Sequence, residues 1–400
     1  MRSATDTAAR DLLAQVFREE ASQLAAALVR TLGDFEAAED LMQDALVKAL
    51  ERWPVDGIPD KPGAWLMTVA RHRGLDLIRR DARYHAKLAL LKAPLRYEPE
   101  DRLRLIFTCC HPALSREAQV ALTLRTVCGF AEAEIARAFL ATDAAIAQRL
   151  VRARRRIAEA GIPYRVPSDE DLDERLQEVL AVLYLVFNEG YLTSAGDRPA
   201  RPDLTADAEW LASLLAKLMP GEPEVLGLLA LIRLHRARAD ARFDADGRLV
   251  LLRDQDRSCW DRAAINAASL LLLEAGRLHR PGPYQIQAAI VACHAEASAW
   301  ELTDWPQILA LYDALVAIAP SPVASLNRAI AVRYVRGSAA ALSELEVLAP
   351  SLDRYRLYHS TRGELLRDLG RPAEARLADA RAFELTSNVA ERALLEQRLA

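Results

Sequence analysis

Apolar residues recur at helical spacing along this chain, and no stretch shows a sustained period-two alternation of apolar and polar positions. Ala, Leu, Arg and Glu dominate and β-branched runs are few, so the pattern points to an all-α fold. With 400 residues and 52% hydrophobic content, the chain has material for about two to three domains with real cores. A first helix is expected from about Thr7 to Leu32, ended by Gly33. Asp34 caps a second helix, which Trp53-Pro54 stops. Residues 55–63 form a turn-rich loop, and a third helix is expected from about Ala64 to Arg83. A basic, proline-punctuated linker follows over 84–100, and helices resume from Asp101 to about Glu159. The segment Gly161–Pro167, with two prolines, is the clearest boundary before the acidic run SDEDLDE and a helical remainder from 168 to 400.

The net charge of −4 hides an asymmetry. Residues 1–160 hold 25 Lys and Arg against 22 Asp and Glu, a balance of +3, which leaves −7 for the rest. Five cysteines, an odd number in a long chain, fit reduced thiols in a cytoplasmic protein. The N-terminal stretch has no signal-type apolar run, and apolar stretches such as Leu226–Ile232 fall far short of the ~20 residues that span a bilayer. A soluble protein with no membrane partner is expected.

The most informative stretch runs from Glu134 to Ile157. Ile135, Ala136 and Phe139 share one face of a short helix; after a break, Ile146, Leu150, Val151 and Ile157 form the stripe of a second. Thr142 is placed to cap that second helix. It carries Gln148, Arg149, Arg152, Arg154, Arg155 and Arg156, and no acid lies between Ala144 and Ala158. This is the pattern of a helix-turn-helix whose second helix enters a DNA major groove. A solvated charged face on a packed helix pair gives the same local pattern, so this stretch alone leaves both readings open.

The expected second and third helices have opposite characters. Glu36, Glu39, Asp40, Gln43 and Asp44 crowd the first half of the second, where carboxylates suit the helix dipole. An exposed acidic strip there is also suited to docking on a basic protein surface. From Arg71 to Arg96 eight basic residues face two acids, and Trp65 lies just before them. Basic side chains with an aromatic neighbour can hold melted DNA, where phosphates are neutralised and an unstacked base is captured.

Beyond residue 168, Gly363, Ala375 and Ala382 have small or apolar counterparts 34 residues earlier at Ala329, Ala341 and Leu348. A 34-residue period of helix pairs is the tetratricopeptide (TPR) pattern. Cys109-Cys110-His111 lacks metal-ligand spacing and reads as structural. Gly190 of Phe187-Asn-Glu-Gly-Tyr191 reads as a helix-capping glycine, or that segment as a contact of the C-terminal part with the first. Asp254–Arg262 (DQDRSCWDR) has calcium-like Asp-x-Asp spacing but lacks the glycine and final glutamate of such a loop. With no phosphate-binding glycine loop either, no catalytic residue, metal site or cofactor is expected.

AEDLMQDALVKALERWP, followed by PGAWLMTVARHRGLDLIRR, resembles the second conserved domain of bacterial sigma factors. AEAEIARAFLATDAAIAQRLVRARRRI resembles their fourth. With only a short linker between, the pattern resembles the extracytoplasmic-function (ECF) class, which recruits RNA polymerase to promoters. CCHPAL, YLVFNEGY and DQDRSCWD extend the likeness to ECF factors with a long TPR-like C-terminal extension. The resemblance implies a domain over 1–83 for core polymerase and the −10 element, a helix-turn-helix domain over 101–160 for the −35 element, and an extension over 168–400. It implies that Glu39, Asp40, Gln43 and Asp44 meet the polymerase β′ clamp, with the β flap a further contact. It places Trp65, Arg71, Arg73, Arg79 and Arg80 on the −10 element and the loop 54–62 where a flipped base is captured. Gln148, Arg149, Arg152, Arg154 and Arg155 fall on the −35 element. Two departures matter. His72 stands where asparagine is usual, and Ala144 and Ala145 open the −35 helix, leaving Gln148 as the uncharged residue there able to pair with an adenine edge. The expected function is transcription initiation without catalysis by the chain itself, regulated by the extension through its own contacts or a protein partner. The alternative is a helix-turn-helix regulator with a TPR-like sensing domain.

Overall fold

A computed structural model of the chain describes residues 20, 22–80, 98, 100–139, 141–193, 195, 196 and 199–399. The expected helical residues 7–19 and 81–83 and nearly all of the linker 84–100 lie outside the described residues. The chain divides into two compact units, Met1–Leu185 and Val186–Ala400. The all-α expectation holds for both.

The first unit opens with α1 (22–32), which Gly33 ends. In α2 (Phe35–Asp56) the Asp34 carboxylate accepts the Ala37 N–H at 3.1 Å, the N-cap the sequence implies. Its other end corrects an expectation, because the helix runs through Pro54. A proline in the last turn removes only one intrahelical hydrogen bond, and Gly57, at φ 84°, ends the helix by returning its N–H to the Trp53 carbonyl. α3 (Pro62–Arg80) starts on a proline, whose fixed φ suits a first helical turn.

Among the described residues, α4 (Asp101–Cys109), α5 (Arg116–Thr126), α6 (Glu132–Ala138) and α7 (Asp143–Glu159) follow. Thr142 caps α7 by accepting the Ala145 N–H at 3.2 Å. Leu105, Ile106, Phe107, Leu122, Leu124 and Ile135 are fully buried between them. Each such side chain contributes ~1.5–3 kcal/mol relative to exposure. The buried face of α7 is Ile146, Leu150, Ala153 and Ile157. Val151 is instead 58% exposed, a correction to the expected stripe. The spacing 146, 150, 153, 157 keeps to one helix face, whereas 151 lies about 100° from 150. Cys109 and Cys110 are fully buried, and Cys110 Sγ lies 3.5 Å from Thr123 Oγ1.

α8 (Asp169–Tyr191) contains the residue at which the first unit ends. In the second unit, α9 (Pro202–Leu218), α10 (Pro223–Arg236), α11 (Arg262–Arg277), α12 (Pro283–Glu296) and α13 (Trp305–Ile318) precede the repeat. The repeat itself is α14 (Pro322–Arg336) with α15 (Ser338–Glu346), the short α16 (Ala349–Leu352), then α17 (Arg356–Asp368) with α18 (Pro372–Leu385). The helix starts Pro322 and Ser338 recur 34 residues later at Arg356 and Pro372, so the period read from small residues is the period of the helix pairs. Gly363 shows why a small residue is needed: a Cβ there would meet Asp379 Oδ1 at 2.6 Å. Gly190 belongs to the last turn of α8 and is not its cap. A Cβ would meet Thr205 N at 2.6 Å, and Arg201 N donates to the Gly190 carbonyl at 2.7 Å. α19 (Val389–Leu399) closes the chain after a two-residue strand, Ser387–Asn388, that pairs in parallel with Ala195–Gly196.

Candidate functional site

The basic helix α7 sorts its arginines by partner. Gln148 and Arg152 are exposed and Arg149 is half-buried. Arg155 is exposed and pairs with Glu159 on the next turn at 2.6 Å. Arg154 differs: its side chain is 16% exposed and its Nη2 donates to Glu39. Glu39 also accepts from Arg125 Nε on α5, so one buried carboxylate sits between two guanidinium groups. Arg125 is held in turn by the Phe130 carbonyl at 2.9 Å.

The acidic strip of α2 was expected to be exposed, and for Glu39 that is corrected: the residue is 6% exposed. Glu39 lies on the side of α2 that meets α5 and α7 through Arg125 and Arg154, while Asp40 is exposed on another side. A charge this buried is stable only when paired, which Arg125 and Arg154 provide. Asp40 is exposed, and Gln43 and Asp44 are half-buried. Partial burial, then the neighbouring Glu36 and Glu39, push the Asp40 carboxyl above its ordinary range, against an opposing pull from Arg154. The sequence reading missed two members of this face. Val47 and Leu50 follow Asp40 and Asp44 along one side of α2, and they are 50% and 61% exposed. Their signal was available as apolar residues at i+7 and i+10 from Asp40 in an otherwise polar stripe.

On α3, Trp65 is half-buried with its ring edge-on to the buried Trp53, centroids 5.6 Å apart. Arg73 Nε donates to Asp44 at 2.6 Å, so a −10 candidate and a clamp candidate share an exposed ion pair. Such a pair is worth ~0–1 kcal/mol and opens easily to a partner. Arg71 is half-buried and His72 exposed. Arg79 and Arg80 lie on α3, but their side chains lie outside the described residues.

The Glu39 ion pairs are one of several ties between α1–α3 and α4–α7. Arg30 Nε donates to the buried Asp101 at 2.8 Å. Tyr164, from the segment after α7, donates its hydroxyl towards the Ala26 carbonyl at 2.8 Å and the Asp101 carbonyl at 3.0 Å, edge-on to Phe35. On α8, Arg175 donates to the Phe107 carbonyl at 2.7 Å, and Glu178 takes Arg116 at 2.9 Å.

Comparison with known families matches these elements in order. Residues 16–84 match sigma-70 region 2, and residues 104–157 match sigma-70 region 4. The chain belongs to the ECF-like sigma-70 factors. The sigma factor's C-terminal part matches a family of unknown function, DUF6596, over residues 175–276. An uncharacterized protein of Rhizobium meliloti (strain 1021) is 44% identical over 412 residues, covering 99% of this chain and 96% of the relative. A sigma factor works in transcription initiation, with RNA polymerase and promoter DNA as its partners. No described helix is long and apolar enough to cross a membrane.

Proposed function

We propose that the outer face of α2 is the surface that this sigma factor presents to core polymerase, at the β′ clamp. The observation that carries this reading is the composition of the face. Asp40, Gln43 and Asp44 continue into the exposed Val47 and Leu50, so charge steers the encounter and apolar area awaits burial. On α7, Gln148, Arg149, Arg152 and Arg155 project away from the buried stripe, which supports their assignment to the −35 element. Trp65, Arg71, Arg73, Arg79 and Arg80 on α3 are assigned to the −10 element by the same likeness, as the segment 54–62, whose loop is 57–61, is to base capture.

The Glu39 ion pairs favour a second part of the reading. Glu39 and Arg154, a clamp candidate and a −35 candidate, hold each other in the isolated protein. Polymerase and promoter therefore compete with an internal contact, and holoenzyme assembly separates the two regions. Arg125 belongs to neither proposed interface, so Arg125→Ala is expected to weaken the internal contact and speed association with core polymerase.

The deciding experiment is run-off transcription with core polymerase on DNA from the region upstream of the protein's own gene. Wild type is expected to give a discrete transcript, and Arg149→Ala with Arg152→Ala at least ~10-fold less, since each lost base or phosphate contact costs ~1–3 kcal/mol. Duplex binding without polymerase, together with no transcript on any upstream region tested, would instead support a helix-turn-helix regulator.

A further inference from the structure

The segment DQDRSCWDR places its acids and its cations in different surroundings. Asp256 turns onto its own loop, accepting the Ser258 N–H at 2.9 Å and the Ser258 hydroxyl at 2.7 Å. Asp261 caps α11 by accepting the Ala264 N–H at 2.9 Å. The cations gather around Trp260, which is 3% exposed. The guanidinium carbons of Arg257, Arg238 and Arg262 lie 4.6, 5.6 and 5.7 Å from its ring centroid.

These arginines spend only part of their hydrogen-bonding capacity. Arg257 Nη1 donates to the His294 carbonyl at 2.8 Å and the Ala297 carbonyl at 2.6 Å, and Arg262 Nη1 to the Ala295 carbonyl at 2.8 Å. Arg238 is 4% exposed, and the one hydrogen-bonding partner of its side chain among the described residues is His235 Nδ1, 3.1 Å from Nη2. Left buried without a partner among the described residues are Arg238 Nε and Nη1, Arg257 Nη2 and Trp260 Nε1, all donors, and His294 Nδ1. Among the described residues no carboxylate forms an ion pair with Arg238, Arg257 or Arg262. The acid that acts on Arg257, Glu301, is exposed. Burial and the adjacent guanidinium groups hold His294 down to about 4 and His235 well below the ordinary histidine range, so neither adds charge at neutral pH.

Buried positive charge without a counter-charge is strongly unfavourable, and buried donors without acceptors call for a missing partner. We propose that the Arg238–Arg257–Trp260 cluster binds the oxyanion group, phosphate or carboxylate, of a small ligand, which makes the second unit a ligand-binding domain. An oxyanion matches the chemistry on both counts: it brings negative charge, and it accepts from several N–H groups at once. A water molecule would satisfy donors and leave the charge uncompensated. The site explains why this segment combines two arginines with a buried tryptophan while Asp256 and Asp261 serve as caps and Asp254 pairs with Arg253.

The test is thermal unfolding of the full-length protein in increasing inorganic phosphate, with a parallel series in acetate, each against chloride at equal ionic strength. A ligand that binds only the folded state raises the unfolding temperature with a saturable concentration dependence. The expected result is such a rise with phosphate or with acetate, the responding arm naming the group, and its loss in Arg238→Met. Because Arg238→Met alters a buried side chain and with it folding, Trp260→Phe and Arg257→Lys provide a second reading, each expected to weaken the response at least several-fold. A saturable rise unchanged in these variants would place the anion elsewhere. No saturable rise with either anion would leave water as the occupant. Either result overturns the proposal.

Discussion

At the residue scale, Asp40 and Glu39 are neighbours in sequence with opposite fates, and their difference sets the behaviour of the strip. Glu39 is neutralised by two arginines, whereas Asp40 is held above its ordinary range by partial burial and by Glu36 and Glu39. A carboxyl whose folded pKa lies above its unfolded value costs stability once ionised. The cost is absent below the unfolded value, grows as pH rises through the folded value, and is complete at neutral pH. Asp40→Asn is therefore expected to raise the unfolding temperature at pH 7 and to have no effect at a pH low enough to protonate Asp40 in both states. Urea or thermal unfolding at the two pH values checks this; an unchanged or lower midpoint at pH 7 would contradict it. His294 works in the other direction. Its folded value of about 4 lies below the 6.5 of an unperturbed histidine, so its contribution is complete above pH 6.5 and is lost as pH falls towards 4. Of these details the sequence showed the acidic stripe and its spacing. It did not show that Glu39 faces inward, because its partners lie 86 and 115 residues away and no local pattern records such a pairing.

At the element scale, the helix ends and the helix faces were not equally legible. Caps are local chemistry, so Asp34 and Thr142 were readable, whereas Pro54 misled because a proline in a last turn is tolerated. Val151 was misplaced because α7 buries a single face, and only packing decides which of two apolar neighbours lies on it. The repeat was legible through its small residues, since close helix approach excludes side-chain volume. Gly363 and Gly276 separate that effect from helix propensity. A Cβ at Gly363 meets the Asp379 carboxylate at 2.6 Å, whereas one at Gly276 on α11 meets nothing within 4 Å. Gly363→Ala is expected to destabilise by ~1–3 kcal/mol through overpacking. Gly276→Ala is expected to stabilise by ~0.4–1 kcal/mol through reduced chain entropy. Equal changes in denaturant midpoints would contradict this account of the repeat.

At the scale of the whole molecule, the order of sigma region 2, sigma region 4 and a helical extension was legible because each part carries its own periodicity and charge. The role of the extension was not, since regulation depends on contacts that sequence does not encode locally. The first turns of α8 lie beyond the expected boundary at 168 yet belong to the first unit, where Arg175 holds the Phe107 carbonyl and Glu178 pairs with Arg116, which supports a regulatory reading for these turns. Arg175→Met with Glu178→Gln is expected to change promoter-dependent transcription several-fold at equal folded concentration. Equal run-off yields would make α8 a passive support. The central claim is that the outer face of α2 is what core polymerase grips. The most direct measurement is a titration of core polymerase with the full-length protein, wild type against Asp40→Arg with Asp44→Arg, circular dichroism confirming equal helicity. Like charges set against a basic partner cost several kcal/mol, so affinity is predicted to fall at least ~100-fold. Equal affinity in two equally folded proteins would contradict the account.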